Sequence, residues 1–197
     1  MAVDPASMPS GYPVRFDIAY PEGENRFMIL IRWLLAIPHL IILSGLRYVA
    51  LAVVVFAFFA ILFTGRHPAG LFRFQVGVLR WNQNVGAYVL FHNRYPPFSF
   101  DEGKYPPVTF QVDRAEHYNR FLPFIKWLLA IPHLIILSLL WVITVLLYVF
   151  TFLAVLVTGK YPRGPFNFIV GTSRWGARVT AYLMLVVDDY PPFSMKA

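Results

Sequence analysis

There is no cysteine among the 197 residues. That excludes disulfides, thiolate catalysis, cysteine zinc sites and iron–sulfur clusters together. Charged residues are also scarce, at 14%, where a soluble domain carries roughly a quarter. The acids beyond the N-terminal tail are Asp17, Glu22, Glu24, Asp101, Glu102, Asp113, Glu116, Asp188 and Asp189. None lies deep in an apolar run, which speaks against a proton relay or an ion path. No glycine-rich phosphate loop, nucleophile elbow or zinc spacing is present. Asp113, Glu116 and His117 have metal-ligating side chains, but they read as a solvated loop. The basic residues stand singly among aromatics and never form a run, so no nucleic-acid partner is expected. The opening MAVDPASMPSG lacks a basic stretch followed by an apolar one, so no signal peptide is expected and insertion would rely on internal segments.

What the chain does have is apolar surface. Hydrophobic residues make up 58% of it and aromatics 18%. A chain of this length cannot enclose so much apolar area in a core of its own. A bilayer is the natural solvent for the excess. The net charge of +7 suits a protein that meets anionic lipid on one side.

The chain repeats itself, and a repeat decides the architecture. Trp-Leu-Leu-Ala-Ile-Pro-His-Leu-Ile-Ile-Leu-Ser occupies 33–44 and recurs unchanged at 127–138, 94 positions later. The same offset aligns Phe16 with Phe110, Asn25 with Asn119, Arg26 with Arg120, Pro68 with Pro162, and Gly77 with Gly171. It also aligns Thr64-Gly65 with Thr158-Gly159, and Arg80-Trp81 with Arg174-Trp175. Tyr-Pro-Pro-Phe-Ser follows at 95–99 and, after one inserted residue, at 190–194. The division is a flexible tail over 1–11, repeat one over 12–100, a linker over 101–104 and repeat two over 105–195. This order of motifs resembles the bacterial DUF4389 domain, a membrane-associated domain of unknown function often found in tandem. The resemblance covers nearly the whole chain after the first ten residues or so. It implies a membrane setting and a bacterial source, and it carries no activity and no catalytic residue.

Each repeat holds one long apolar stretch, 27–63 and 121–157. A membrane helix needs about 20 apolar residues, so each stretch is too long for one span and just long enough for two short ones. Arg47 decides between the arrangements. With one interfacial helix, a break at the proline and one span of about 25 residues, it would lie near the bilayer centre, where a charge costs roughly 3 kcal/mol or more. A turn beside Gly45 puts Arg47 and Tyr48 at the far interface, with Trp141 at the matching place in repeat two. The expected spans are 27–45, 47–63, 121–139 and 141–158, with a re-entrant pair as the alternative. Pro38 and Pro132 should kink the first span of each unit. With Arg32 and Lys126 snorkelling back, only Arg47 lies on the far side. The positive-inside rule then gives a multi-pass inner-membrane protein with both termini in the cytoplasm.

On the polar side, 14–20 and 108–113 alternate apolar and polar residues and read as strands, as do 87–91 and 179–187. The segments 68–81 and 162–175 read as amphipathic helices at the interface, and Tyr-Pro-Pro-Phe as a stiff extended end to each unit. The expected fold is therefore an α-helical integral membrane protein of two tandem repeats. Each would be a transmembrane helical hairpin flanked by short strands and an interfacial helix.

His39 and His133 are the sharpest candidate site residues. They match across the repeats, and two such histidines can hold a haem or another metallated pigment. The alternative is that each bonds a carbonyl freed by the adjoining proline. Arg80 with Trp81, and Arg174 with Trp175, carry what a lipid phosphate needs, namely a forked donor beside an interface aromatic. Generic anchoring is the alternative there. Asn25-Arg26 and Asn119-Arg120 read as helix caps at headgroup depth. Arg32 and Lys126 can alternatively face a polar cavity. The function expected is a non-catalytic accessory or scaffold subunit, contacting membrane lipids and other membrane subunits or a second copy of itself. A haem-binding subunit and a small transporter or lipid-handling protein are the other readings. An absorption spectrum and retained lipid, respectively, would reveal them.

Overall fold

The computed structural model describes residues 11–22 and 25–196. Most of the tail expected over 1–11, together with Glu24, lies outside the described residues. Strand β1 (Val14–Ile18) is followed by a short 3-10 turn (Arg26–Leu30), helix α1 (Arg32–Thr64) and helix α2 (Ala69–Leu90). Strand β2 (Val108–Val112), helix α3 (Leu122–Thr158) and helix α4 (Arg163–Leu183) repeat the order of strand and two helices. The chain is mostly helical, and α1 and α3 are long and apolar enough to cross a membrane.

The expected helical hairpins are not formed. Residues 32–64 are one continuous helix of 33 residues, and 122–158 one of 37. At 1.5 Å per residue these are about 50 and 55 Å long. Gly45, the expected turn, sits in open space within α1. A lone helical glycine costs only about 1 kcal/mol, while leaving the helix would break several backbone hydrogen bonds. Pro38 and Pro132 stay inside their helices. What ends the helices is Gly65 and Gly159, at φ 67° and 71°. Each N–H caps a carbonyl of the last turn, Ile61 or Val155, at 2.8 Å.

The strands expected near 14–20 and 108–113 form, slightly shorter, and those expected over 87–91 and 179–187 do not. The latter are the ends of α2 and α4, which run on past the expected limits of 81 and 175. Buried Trp81, Asn84, Val85 and Tyr88 show the reason. Helical spacing puts Trp81, Val85 and Tyr88 on one face, against Ala36 and Leu43 of α1, and that packing outweighs local strand propensity. Residues 185–187 follow α4 as buried, non-helical chain.

β1 and β2 form a two-stranded antiparallel ribbon in which Phe16 faces Phe110, Val14 faces Val112 and Ile18 faces Val108. One strand comes from each repeat. Shifting every number by 94 maps the ribbon onto itself, so an internal two-fold axis passes between Phe16 and Phe110. The ribbon's apolar face lies on Phe72, Val76 and Leu79 of α2 and on Phe166, Ile169 and Val170 of α4, forming the main core. Three layers result: ribbon, then α2 with α4, then α1 with α3.

Candidate functional site

Each repeat builds a closed aromatic box around its histidine. His39 projects from α1 and is fully buried. The Trp81 indole N–H, on α2, donates to His39 Nδ1 at 3.0 Å. Phe98 stacks on the imidazole at 3.9 Å between centroids and 13° between planes, and Tyr95 lies 4.8 Å away. Repeat two copies this closely. Trp175 donates to His133 Nδ1 at 3.0 Å, Phe193 stacks at 3.9 Å and Tyr190 lies at 4.9 Å. The Tyr-Pro-Pro-Phe segment is therefore not a projecting tail. It folds back and covers the histidine of its own repeat.

This geometry bears on the haem reading. An indole can only donate, so Nδ1 is an acceptor and the hydrogen of the neutral ring sits on Nε2. An axial ligand needs the reverse arrangement, with a free Nε2 lone pair and an outward N–H at Nδ1. The two histidines also occupy separate boxes, each closed by aromatics of its own repeat. These residues do not fit bis-histidine ligation. Nε2 of each ring is buried with no hydrogen-bond partner among the described residues. Neither ring bonds a carbonyl freed by its proline.

Arg80 and Arg174 face inward, toward the strand of the opposite repeat. Arg80 donates from Nε to Phe110 O at 3.0 Å, from Nη1 to Phe100 O at 2.7 Å and from Nη2 to Glu102 at 3.3 Å. Arg174 donates from Nε to Phe16 O at 2.9 Å, from Nη1 to Met195 O at 2.8 Å and from Nη2 to Asp17 at 2.6 Å. Their forks are spent on protein, and Trp81 and Trp175 are buried in the boxes. The motif singled out for lipid phosphate thus locks the ribbon to the helices. The identical separation of 42 residues between His and Trp in both repeats is the sequence signal that marks the box.

Arg32, the first residue of α1, and Lys126, in the second turn of α3, are also buried rather than snorkelling. Arg32 donates to Asn93 Oδ1 and to the Tyr161 hydroxyl, each at 2.9 Å. Lys126 donates to Asp188 at 2.8 Å and to Val187 O at 2.6 Å. Asn25 and Asn119 cap the following turns through their side chains, accepting from Phe27 N and Phe121 N at 3.0 Å. His67 sits just before α2, with Nε2 2.8 Å from Gln75 Oε1. Burial pushes its pKa below the usual value, with help from the nearby Arg114 and Lys126 charges, against the opposing hydrogen bonds to Pro68 and Gln75.

The largest exposed feature is apolar. Among the described residues, every exposed large hydrophobic side chain lies in 27–63, in 121–157 or in the two Tyr-Pro-Pro-Phe segments. Monomeric soluble proteins rarely leave contiguous apolar patches open to water. Residues 26–101 and 123–195 each match the family described as Domain of unknown function (DUF4389). No curated protein and no solved structure matches the chain.

Proposed function

The chain belongs to the DUF4389 family, a membership that assigns no activity, and we propose from its geometry that it is a non-catalytic membrane protein with a scaffolding role. One observation carries this reading. The apolar side chains left outside the core gather on α1, α3 and the two segments beside them, while α2, α4 and the ribbon supply polar groups that bond one another. Lipid covers the first set. The ribbon and its flanking loops, with the exposed ion pair of Arg15 and Asp113 at 2.6 Å, remain in water as a surface for another subunit or a second copy. We propose the inner membrane of a bacterium as the setting, with the basic polar side in the cytoplasm, where the leaflet carries anionic lipid.

Fractionation tests the membrane reading. The protein should stay in the membrane pellet after high salt and alkaline carbonate, and should leave it only with detergent. Recovery in the supernatant as a monomer contradicts it. Cross-linking from Gln111 on the ribbon tests the scaffold reading, which expects a discrete adduct in the native membrane and fails if none forms.

A groove between α2, α3 and α4, lined by residues such as Leu90, Leu137, Trp141, Tyr148 and Gly176, supports lipid handling as a second reading. Native mass spectrometry of the detergent-extracted protein tests it. A stoichiometric lipid lost on Gly176→Leu supports the reading, and its absence from the native protein rejects it.

A further inference from the structure

We infer that α1 and α3 lie flat within a single leaflet, as two long beams beneath the polar module, and do not cross the bilayer. This rests on the membrane reading above and fixes its geometry.

The first reason is how each beam is pinned. α1 touches the polar module over its first half and again at its end. At its start Arg32 reaches Tyr161 and Asn93. Farther along, Ala36 and Leu43 pack on Trp81, Val85 and Tyr88 of α2. At its end Ile61 packs on Tyr118 and Leu185, and Tyr118 N–H donates to Gly65 O at 2.9 Å. α3 is held likewise, by Lys126 on Asp188, His133 on Trp175 and Val155 in the main core. A helix about 50 Å long with both ends on one aqueous module cannot leave that module on one side of a bilayer and finish on the other.

The second reason is symmetry. The start of α1 meets Tyr161, just beyond the end of α3, while Phe58 near the end of α1 meets Phe124 at the start of α3, with centroids 5.0 Å apart. The beams are antiparallel, so the two-fold axis between Phe16 and Phe110 is perpendicular to both. If the beams crossed the bilayer, that axis would lie in the membrane plane. The ribbon, with Arg15, Asp17 and Asp113, would then sit at the depth of the bilayer centre, where ionised groups are strongly disfavoured. With the beams flat, the axis is the membrane normal and the ribbon is in water.

The third reason is composition along the beams. Arg47 and Tyr48 lie at the middle of α1, and Trp141 at the middle of α3, all exposed. Arg, Tyr and Trp belong at a membrane interface. In a crossing helix these residues would be at the bilayer centre, whereas a flat helix keeps its middle as close to the headgroups as its ends. Exposed Arg26, Arg66, Arg120 and Lys160 stand at the beam ends. No Asp or Glu occurs between Glu24 and Asp101 or between Glu116 and Asp188. The leaflet that fits is one with anionic headgroups.

The test is a depth profile of the full chain in vesicles of phosphatidylethanolamine and phosphatidylglycerol. Single cysteines at exposed positions of α1 (Ile41→Cys, Tyr48→Cys, Val55→Cys and Phe63→Cys) carry nitroxide labels, whose depth is read from collisions with oxygen and a water-soluble nickel complex. The inference expects nearly constant depth, about 5–10 Å along all four positions. A profile shallow at Phe63 and reaching about 15 Å near Tyr48, the half-thickness of the hydrocarbon core, overturns it and leaves the membrane reading intact. Water-like exposure at every position, or a lipid-free soluble oligomer, overturns both.

Discussion

Phe16 and Phe110 face each other across the antiparallel ribbon, with ring centroids 6.2 Å apart and planes at 69°, and each is the other's counterpart in the repeat. This one pair holds the internal symmetry of the molecule. Each repeat lends its strand to a layer formed in common, and the opposite repeat's arginine fastens that strand. The two repeats therefore share one core, and neither closes its core without the other's strand.

Removing one fastener should loosen the shared layer. Arg174→Met takes the arginine donors from the Phe16 and Met195 carbonyls and strips the Asp17 carboxylate of its cation, leaving it the Ile18 N–H at 2.9 Å. The expected loss is about 2–4 kcal/mol, since stranded buried acceptors and a broken, largely buried ion pair both cost. Arg174→Lys should recover little, because one ammonium cannot reach all three acceptors. Denaturant unfolding in detergent measures both variants.

Two glycines of one helix should respond in opposite ways. A Cβ at Gly77 would meet Phe100 Cβ at 2.6 Å, where the segment after the histidine box crosses α2. Gly77→Ala should therefore cost about 1–3 kcal/mol through overpacking. Gly86 meets nothing within 4 Å, so Gly86→Ala should gain about 0.5–1 kcal/mol from helix propensity. Thermal unfolding of the two variants side by side checks the contrast.

Acidification should destabilise the protein through His67. Burial holds the folded pKa below the ordinary 6.5, so below that pH the unfolded chain takes up a proton that the folded chain refuses. The contribution is intact above 6.5 and is lost as the pH falls toward the folded value. His67→Tyr, which installs the residue found at the matching Tyr161, should flatten the decline in unfolding midpoint between about pH 7 and about pH 5. An unchanged slope would assign the decline to other groups.

The histidine boxes should behave as packing devices. Trp81→Phe removes the indole donor and leaves His39 Nδ1 buried without a partner, at a cost of about 1–3 kcal/mol. The purified protein should show no Soret band, and adding hemin should produce no bis-histidine spectrum. A Soret band abolished by His39→Phe would reinstate the haem reading.

The repeat, its offset and the first strand of each unit were legible because they are local patterns. The resemblance to DUF4389 rested on the same motifs, and it holds over both repeats. The long helices were misjudged for a physical reason. Arg47 and Trp141 are residue types of a membrane interface, and in a crossing helix only a turn brings them to one. A helix lying flat satisfies the same residues without a turn. Residues 87–91 read as a strand because Tyr-Val-Leu is apolar and partly β-branched, while the helical spacing of Trp81, Val85 and Tyr88 has meaning only once α1 lies beside them. Arg80 and Arg174 looked like headgroup ligands because sequence does not reveal that another repeat's carbonyls stand in the headgroup's place.

Sidedness of labelling tests the central claim most directly. The native chain has no cysteine, so Arg66→Cys and Arg163→Cys report cleanly from the ends of α1 and α3. In cells and in inverted inner-membrane vesicles, a membrane-impermeant maleimide should reach both positions from the same side, the cytoplasmic one. If the two label from opposite sides, as antiparallel helices crossing the bilayer require, the account is wrong.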